Sequence, residues 1–138
     1  MSTDNNVRVL IADGDATVRA ALFRALLDRG VFCDCVASGG DAISRLGEQR
    51  YALVLLDFSL PHAGAAAVVE SLRVMPSAER PMVIATAAGA DSARDPSSLA
   101  LLRAGSDTDL VQMILRRPIE VLDVAELVGA CLAQVRTT

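Results

Sequence analysis

The sequence predicts an α/β fold in which about five helices cover both faces of a five-stranded parallel sheet. Short apolar segments typical of strands alternate with segments whose apolar residues recur every three or four positions, as in amphipathic helices. The run Leu-Val-Leu-Leu at 53–56 contains no polar residue, which indicates a strand buried on both faces. A chain of 138 residues is long enough for one sizeable core. We therefore expect a single domain at 7–136 behind a flexible tail at 1–6.

The predicted elements follow one another without an internal repeat or a linker between domains. Predicted strands cover residues 8–12, 31–37, 51–57, 82–86 and 111–115. Predicted helices cover residues 16–29, 39–46, 64–74, 97–104 and 123–135, and a predicted loop covers 87–96.

Capping residues support three of the helices. Asp15 is placed to cap the first helix, and Gly30 suits the left-handed position after its end. Ser38 is a suitable N-cap for the second helix. Asp123 and Glu126 have the spacing of a cap pair for the last helix, so we expect that helix to begin there.

The composition argues against several classes of protein. A net charge of −4 without a basic cluster disfavours tight binding to nucleic acid. No apolar run approaches the ~18 residues of a membrane span. The polar residues at 1–6 lack the pattern of a signal peptide, so we expect a cytoplasmic location. All 13 basic residues are arginines, which excludes a mechanism that needs a lysine ammonium group.

The cysteines and the single histidine are not expected to form a reactive site. Cys33 and Cys35 have the spacing of residues on one side of a strand, but no histidine or further cysteine lies near them in sequence. We therefore expect them to pack as buried, apolar thiols. His62 lies in a predicted loop, where we expect it to be exposed to solvent.

Asp57 is the residue on which the functional question depends. It ends the buried third strand, and Pro61 prevents a regular continuation of the strand or a helix. In open α/β sheets, ligands bind in the crevice at the carboxyl ends of the strands. A carboxylate at this point is therefore a candidate for chemistry.

Other polar residues are expected to join Asp57 at the same edge. In a sheet of strand order 2-1-3-4-5, the ends of strands one and three place Asp13, Asp15 and Asp57 around one crevice, and strands four and five add Thr86 and Arg117. Clustered carboxylates repel one another unless a cation lies between them, and oxygen ligands suit Mg²⁺. A hydroxyl group and a positive charge opposite them suit a phosphoryl group.

In this arrangement the sequence resembles the receiver domain of two-component response regulators. The resemblance extends from about residue 7 to 135 and rests on four segments in order. These are Val-Leu-Ile-Ala-Asp at 9–13, Leu-Leu-Asp-Phe-Ser-Leu-Pro at 55–61, Ile-Ala-Thr-Ala at 84–87 and Arg-Pro at 117–118. The resemblance implies a flavodoxin-like, doubly wound sheet of order 2-1-3-4-5.

The resemblance also implies a role for each residue of the crevice. Asp57 would accept a phosphoryl group from a histidine kinase, a phosphotransfer protein or a small phosphodonor. Mg²⁺ would be held by Asp13, Asp57 and the backbone carbonyl of Ser59. Thr86 would be the switch hydroxyl, and Arg117 stands where the family has a lysine. In-line phosphoryl transfer depends mainly on positioning and on neutralisation of charge.

Four positions depart from the family pattern, one of them Ala65, where the family usually has a glycine. Gly14 replaces a second acidic residue that is a direct metal ligand, so Mg²⁺ should bind weakly, with Asp15 as a further candidate ligand. Arg117 keeps the positive charge of the lysine but is a planar fork rather than a compact ammonium group. Ile114 replaces an aromatic switch residue, which breaks the usual coupling between the hydroxyl and an aromatic side chain.

We therefore expect a stand-alone receiver that is not an enzyme and that signals by contact with an unknown downstream protein. A homodimer is left open by the resemblance. The alternative is a degenerate receiver that binds its partner without phosphorylation. A flavodoxin-like enzyme or nucleotide-binding protein is a third hypothesis. It lacks good support, because neither Asp-Gly-Asp at 13–15 nor Gly39-Gly40 forms a phosphate loop, and only 3% of residues are aromatic.

Overall fold

The computed structural model describes residues 8–62, 64–88 and 110–137. Within these residues, strands and helices alternate along the chain as the sequence predicts. The strands are β1 (Arg8–Ala12), β2 (Phe32–Val36), β3 (Leu53–Asp57), β4 (Met82–Ala88) and β5 (Met113–Arg117). The helices are α1 (Ala16–Leu27), α2 (Gly39–Glu48), α3 (Gly64–Arg73) and α4 (Val121–Thr137), with a short 3₁₀ helix at Ser77–Glu79.

The five strands form one parallel sheet of order β2-β1-β3-β4-β5, as predicted. The register between β3 and β4 places Asp57, the last residue of β3, directly beside Thr86 of β4. Because all five strands are parallel, the carboxyl ends of β1, β3 and β4 lie at the same edge of the sheet.

Two hydrophobic cores lie on opposite faces of the sheet. The side chains of β1 alternate between them, because successive residues of a strand point to opposite faces. One core packs Leu10 with residues of α2 and α3, and the other packs Ile11 with residues of α1 and α4. All four residues at 53–56 of β3 are buried, as expected for a central parallel strand.

The helix caps of the first half are confirmed. The Asp15 carboxylate accepts hydrogen bonds from the backbone N–H groups of Thr17 and Val18 at the start of α1. Gly30 follows the end of α1 with a positive φ of 78°. The Ser38 hydroxyl accepts a hydrogen bond from the Asp41 N–H at the start of α2.

The predicted position of β5 is wrong by two residues. Gln112 explains the shift, because its N–H donates to the Val83 carbonyl and its side-chain oxygen accepts from the Val83 N–H, at 2.9 and 2.6 Å. A side chain thus takes the place of a backbone partner, and the regular ladder begins only at Met113. In consequence Arg117 is the last residue of β5 rather than the second residue after it.

Several other boundaries differ by one or two residues, and the differences at α4 and β4 bear on the predictions. α4 begins at Val121, and the Val124 N–H already donates to the Glu120 carbonyl, so Asp123 lies in the first turn and does not cap the helix. β4 continues through residues 87 and 88, which were predicted as loop. The rest of that loop, the predicted helix at 97–104 and the predicted tail at 1–6 lie outside the described residues. Among the helices of the described ranges, none is long and apolar enough to cross a membrane.

Candidate functional site

The carboxyl edge of the sheet contains a buried polar cluster. In the described part of the chain, the buried polar or charged side chains are Asp13, Asp57 and Thr86, which are 3, 5 and 4% exposed. Asp13 directly follows β1, Asp57 ends β3, and Thr86 lies beside Asp57, two residues before the end of β4. Burial of charged groups is unfavourable unless they are paired, so this cluster requires a positive partner.

Arg117 supplies that positive charge. Its Nη2 atom forms a hydrogen-bonded ion pair with Asp13 Oδ2 and lies 3.8 Å from Asp57 Oδ2. Its Nε–H group donates to Thr86 Oγ1 at 3.2 Å. One guanidinium group therefore contacts all three buried side chains. The peptide bond that follows, between Arg117 and Pro118, is cis.

The two oxygen atoms of Asp57 have different surroundings. Oδ1 accepts hydrogen bonds from the N–H and the hydroxyl group of Ser59, at 2.9 and 2.7 Å. Oδ2 accepts one longer bond, 3.3 Å, from the Gly14 N–H and faces Arg117. The carboxylate is thus oriented through Oδ1, and Oδ2 is the oxygen that faces the cluster.

Backbone and arginine contacts fix the residues after β1. Asp13 Oδ1 accepts a hydrogen bond from the Asp15 N–H at 2.8 Å, and the Arg19 guanidinium donates to the Asp13 carbonyl at 2.8 Å. The Asp15 carboxylate is exposed and accepts hydrogen bonds from the backbone N–H groups at the start of α1. Asp15 therefore serves as a helix cap in this structure, and its role as a metal ligand stays a prediction.

The loop after β3 is anchored to α2 through the backbone. The N–H groups of Gly39 and Gly40 donate to the carbonyl oxygens of Pro61 and His62, at 2.9 and 3.0 Å. Gly39 approaches so closely that an added Cβ atom would lie 2.6 Å from the Gly64 carbonyl oxygen. Only glycine fits at this position without displacement of the backbone.

The carboxylates of the cluster suit a hard divalent cation. Because Asp13 Oδ2 and Asp57 Oδ2 both contact one Arg117 nitrogen, the two groups converge on a single positive atom. Oxygen atoms of this kind are the ligands that Mg²⁺ prefers. Within the described ranges, no three metal-ligating side chains lie together, since Gly14 has no side chain and Asp15 caps α1. The residues present therefore fit a Mg²⁺ ion bound by two carboxylates.

A second polar cluster lies away from the crevice, around Asp34 of β2. Its carboxylate is paired with Arg8, at 3.1 Å, and accepts hydrogen bonds from Gln49 and from the Tyr51 hydroxyl at 2.9 and 2.7 Å. The pKa of Tyr51 is raised to about 12, mainly because the hydroxyl group is buried and secondly because it is hydrogen-bonded to Asp34. This network joins β1, β2 and the end of α2, which is a structural role.

The cysteines pack against a core as expected from the sequence, but they are half-buried rather than buried. Cys33 and Cys35 are half-buried against the core that contains α1, where Cys131 also packs. The pKa of the Cys33 thiol is raised to about 12, mainly by burial and secondly by the negative charges of Cys35 and Asp34. The thiolate is therefore disfavoured. His62 is exposed, as expected, and has a positive φ of 50°.

The structure thus brings together Asp13, Asp57, Thr86 and Arg117, and sets Asp15 apart. Sequence reasoning missed the Ser59 hydroxyl and the Gly14 N–H as partners of the Asp57 carboxylate. A serine two residues after an aspartate is a local signal, because short polar side chains commonly bond across such turns. The contact from Gly14 carries no such signal, because any residue except proline provides a backbone N–H.

The family-model comparison identifies residues 9–116 as a response regulator receiver domain. The chain is also 31% identical over 81 residues to the transcriptional regulatory protein PmrA of Pectobacterium parmentieri. That alignment covers 59% of this chain but 36% of PmrA, so the chain spans little more than a third of that relative.

Solved structures share the fold. The response regulator receiver domain from Methylobacillus flagellatus has a TM-score of 0.69 and 20% identity, covering 91% of this chain and 98% of that one. The response regulator receiver domain protein from Methanospirillum hungatei JF-1 has a TM-score of 0.74 and 19% identity, covering 93 and 94%.

The doubly wound sheet and its buried acidic crevice agree with the family model. The chain belongs to the response regulator receiver family of two-component systems. Members of this family interact with histidine kinases and downstream effectors, bind Mg²⁺ at the acidic pocket, and act in signalling rather than as catalysts. The predicted family and fold are therefore confirmed.

Proposed function

We propose that Asp57 accepts a phosphoryl group from a histidine kinase, a phosphotransfer protein or a small phosphodonor, and that the modified protein acts on a downstream protein in the cytoplasm. The orientation of its carboxylate is the observation that carries this proposal. Two donors of Ser59 hold Oδ1, while Oδ2 faces Arg117 and lies beside the Gly14 N–H. The carboxylate is therefore held in one orientation and turned toward the pocket, as attack by Asp57 on a bound phosphoryl group requires.

The reaction is an in-line transfer of the phosphoryl group to Asp57 from an oxygen or nitrogen atom of the donor. The Asp57 carboxylate attacks phosphorus, the bond from phosphorus to the donor breaks, and the donor leaves with that electron pair. Arg117 would orient the phosphoryl oxygens by charge-assisted hydrogen bonds, and the Thr86 hydroxyl would donate to one of them. Mg²⁺, held by Asp13, Asp57 and the Ser59 carbonyl, would supply neutralisation of the phosphoryl charge.

A direct test is the intact mass of the protein after incubation with acetyl phosphate and Mg²⁺. We expect the protein to gain the mass of one phosphoryl group, and Asp57→Asn to gain none. Asp28→Asn is the matched control, because Asp28 is an exposed aspartate paired only with Arg24 among the contacts of the described residues. Equal labelling of Asp57→Asn and the unmodified sequence would show that another residue is modified.

The alternative function is a receiver that binds its partner without phosphorylation. The contacts of Arg117 favour it, because both carboxylates already share a cation of the chain itself. Backbone NMR with Mg²⁺ and beryllofluoride, a phosphoryl mimic, separates the two functions. Chemical-shift changes centred on Asp57 and Thr86 would support a phosphoacceptor role for Asp57. Unchanged spectra with the mimic and saturating Mg²⁺ would support a receiver that works without phosphorylation.

A further inference from the structure

The charge balance of the acidic pocket is set by Arg117. Asp13, Asp57 and Arg117 are buried or nearly so, and the Arg117 side chain is 16% exposed. Two carboxylates and one guanidinium group leave a formal charge of −1. Since Gly14 adds no third carboxylate, this arginine neutralises half of the negative charge of the pocket without any metal ion.

The guanidinium group lies against the oxygen atoms that a metal ion would use. Asp13 Oδ1 is engaged by the Asp15 N–H, and Asp57 Oδ1 is engaged by Ser59. The least engaged oxygens are the two Oδ2 atoms, of which that of Asp57 accepts only the longer bond from Gly14, and both face Arg117 Nη2. A divalent cation on these oxygens would stand in contact with another positive group in a poorly solvated site, which is strongly unfavourable.

The planar shape of the arginine makes this arrangement possible. Nε donates to Thr86 while Nη2 contacts the two aspartates, so a single rigid fork is held at both ends. A lysine ammonium group is a compact point charge on a flexible stem and cannot reproduce both ends of the fork. The geometry therefore depends on the guanidinium group and not only on its charge.

We propose that Arg117 is the resident cation of the acidic pocket and competes with Mg²⁺ for the Oδ2 atoms of Asp13 and Asp57. Binding of Mg²⁺ then requires the guanidinium group to leave Asp13. This inference deepens the proposed function, and the relevance of the competition to signalling rests on that function. Its test involves no phosphoryl donor, so either proposal can fail while the other stands.

The test is a Mg²⁺ titration of the full chain followed by backbone NMR. The N–H groups of Gly14 and Ser59 donate to Asp57 and so report directly on the pocket. We expect Arg117→Gln to bind Mg²⁺ about tenfold more tightly than the unmodified protein, because a charge that opposes the metal ion is removed, and Arg117→Lys to show a smaller gain. Arg117→Lys keeps the positive charge, so tighter Mg²⁺ binding by this variant measures the loss of the planar guanidinium geometry.

Arg116→Gln is the matched control. Arg116 is the neighbouring residue of β5, is exposed, and carries the same charge outside the pocket. Its Mg²⁺ affinity should stay within about twofold of the unmodified protein, because exposed charges are screened by solvent. Equal affinities for all four proteins, or a gain in Arg116→Gln as large as in Arg117→Gln, would overturn the competition.

Thermal unfolding gives a second readout. Arg117→Gln leaves two buried carboxylates without their cation, so its Tm without metal should fall, and saturating Mg²⁺ should restore it by mass action. The unmodified protein, which already contains a cation at this point, should show a smaller rise in Tm at the same Mg²⁺ concentration. A rise that is larger in the unmodified protein would contradict the proposal.

Discussion

Replacement of Gly39 by alanine should destabilise the fold, although alanine is the better helix-forming residue. The added Cβ atom would lie 2.6 and 2.7 Å from the carbonyl oxygen and nitrogen of Gly64, and 3.0 Å from the carbonyl oxygen of His62. All three are backbone atoms, so no side-chain rotation can relieve the contact. α2 must move away from the loop that follows Asp57.

The expected cost follows from these contacts. Crowding of a well-packed site costs about 1–3 kcal/mol of the free energy of unfolding. Displacement of α2 also weakens the hydrogen bond from the Gly39 N–H to the Pro61 carbonyl, for which a net value of about 1 kcal/mol is typical. Gly40 is the matched control, because an added Cβ there meets no atom within 4 Å. Gly40→Ala should be stabilising by up to about 1 kcal/mol.

The assay is urea unfolding followed by far-ultraviolet circular dichroism, with both variants and the unmodified protein measured together. Gly39→Ala should lower the midpoint and Gly40→Ala should leave it unchanged or raise it, at equal slopes. If Gly39→Ala is as stable as Gly40→Ala, the close approach of α2 to the loop does not exist in solution, and the reasoning fails.

Two further predictions concern α1 and Tyr51. Asp15→Ala should lower the free energy of unfolding by about 1 kcal/mol through loss of the N-cap, while Asp15→Asn keeps the cap; equal losses in urea unfolding would argue against capping. The pKa of Tyr51, raised from 10.0 to about 12, means that the folded state holds this proton more tightly. Its contribution to stability should be complete below pH 10.0 and lost as the pH rises through about 12, and Tyr51→Phe should remove that loss. Absorbance of the chain's single tyrosinate gives the midpoint directly, and a midpoint near 10.0 would contradict the prediction.

The parts of the fold that the sequence predicts well are those fixed by local chemistry. β1 and the buried run of β3 follow from uninterrupted apolar residues, and the start of α1 follows from a carboxylate that bonds its own first turn. Asp13, Asp57 and Thr86 could be grouped in advance because each directly follows or ends a parallel strand, and such ends meet at one edge.

The errors arise where a contact between distant residues decides the outcome. The side chain of Gln112 replaces a backbone partner of Val83, 29 positions away, and this delays β5. The same shift moves Arg117 into the strand. Its position near the pocket was predictable from its place in the chain, but its simultaneous contact with Asp13 and Thr86 depends on the packed geometry of three strands.

The close approach at Gly39 has a mechanical consequence for the acidic pocket. The loop after β3, which carries Ser59, is joined to the first turn of α2 by two backbone hydrogen bonds, and its Leu60 packs in the same core as Ala42 of α2. A shift of this loop by itself would break both hydrogen bonds, so we expect the loop and the beginning of α2 to move together. One wall of the pocket is therefore hydrogen-bonded to a helix on the opposite half of the sheet from Arg117.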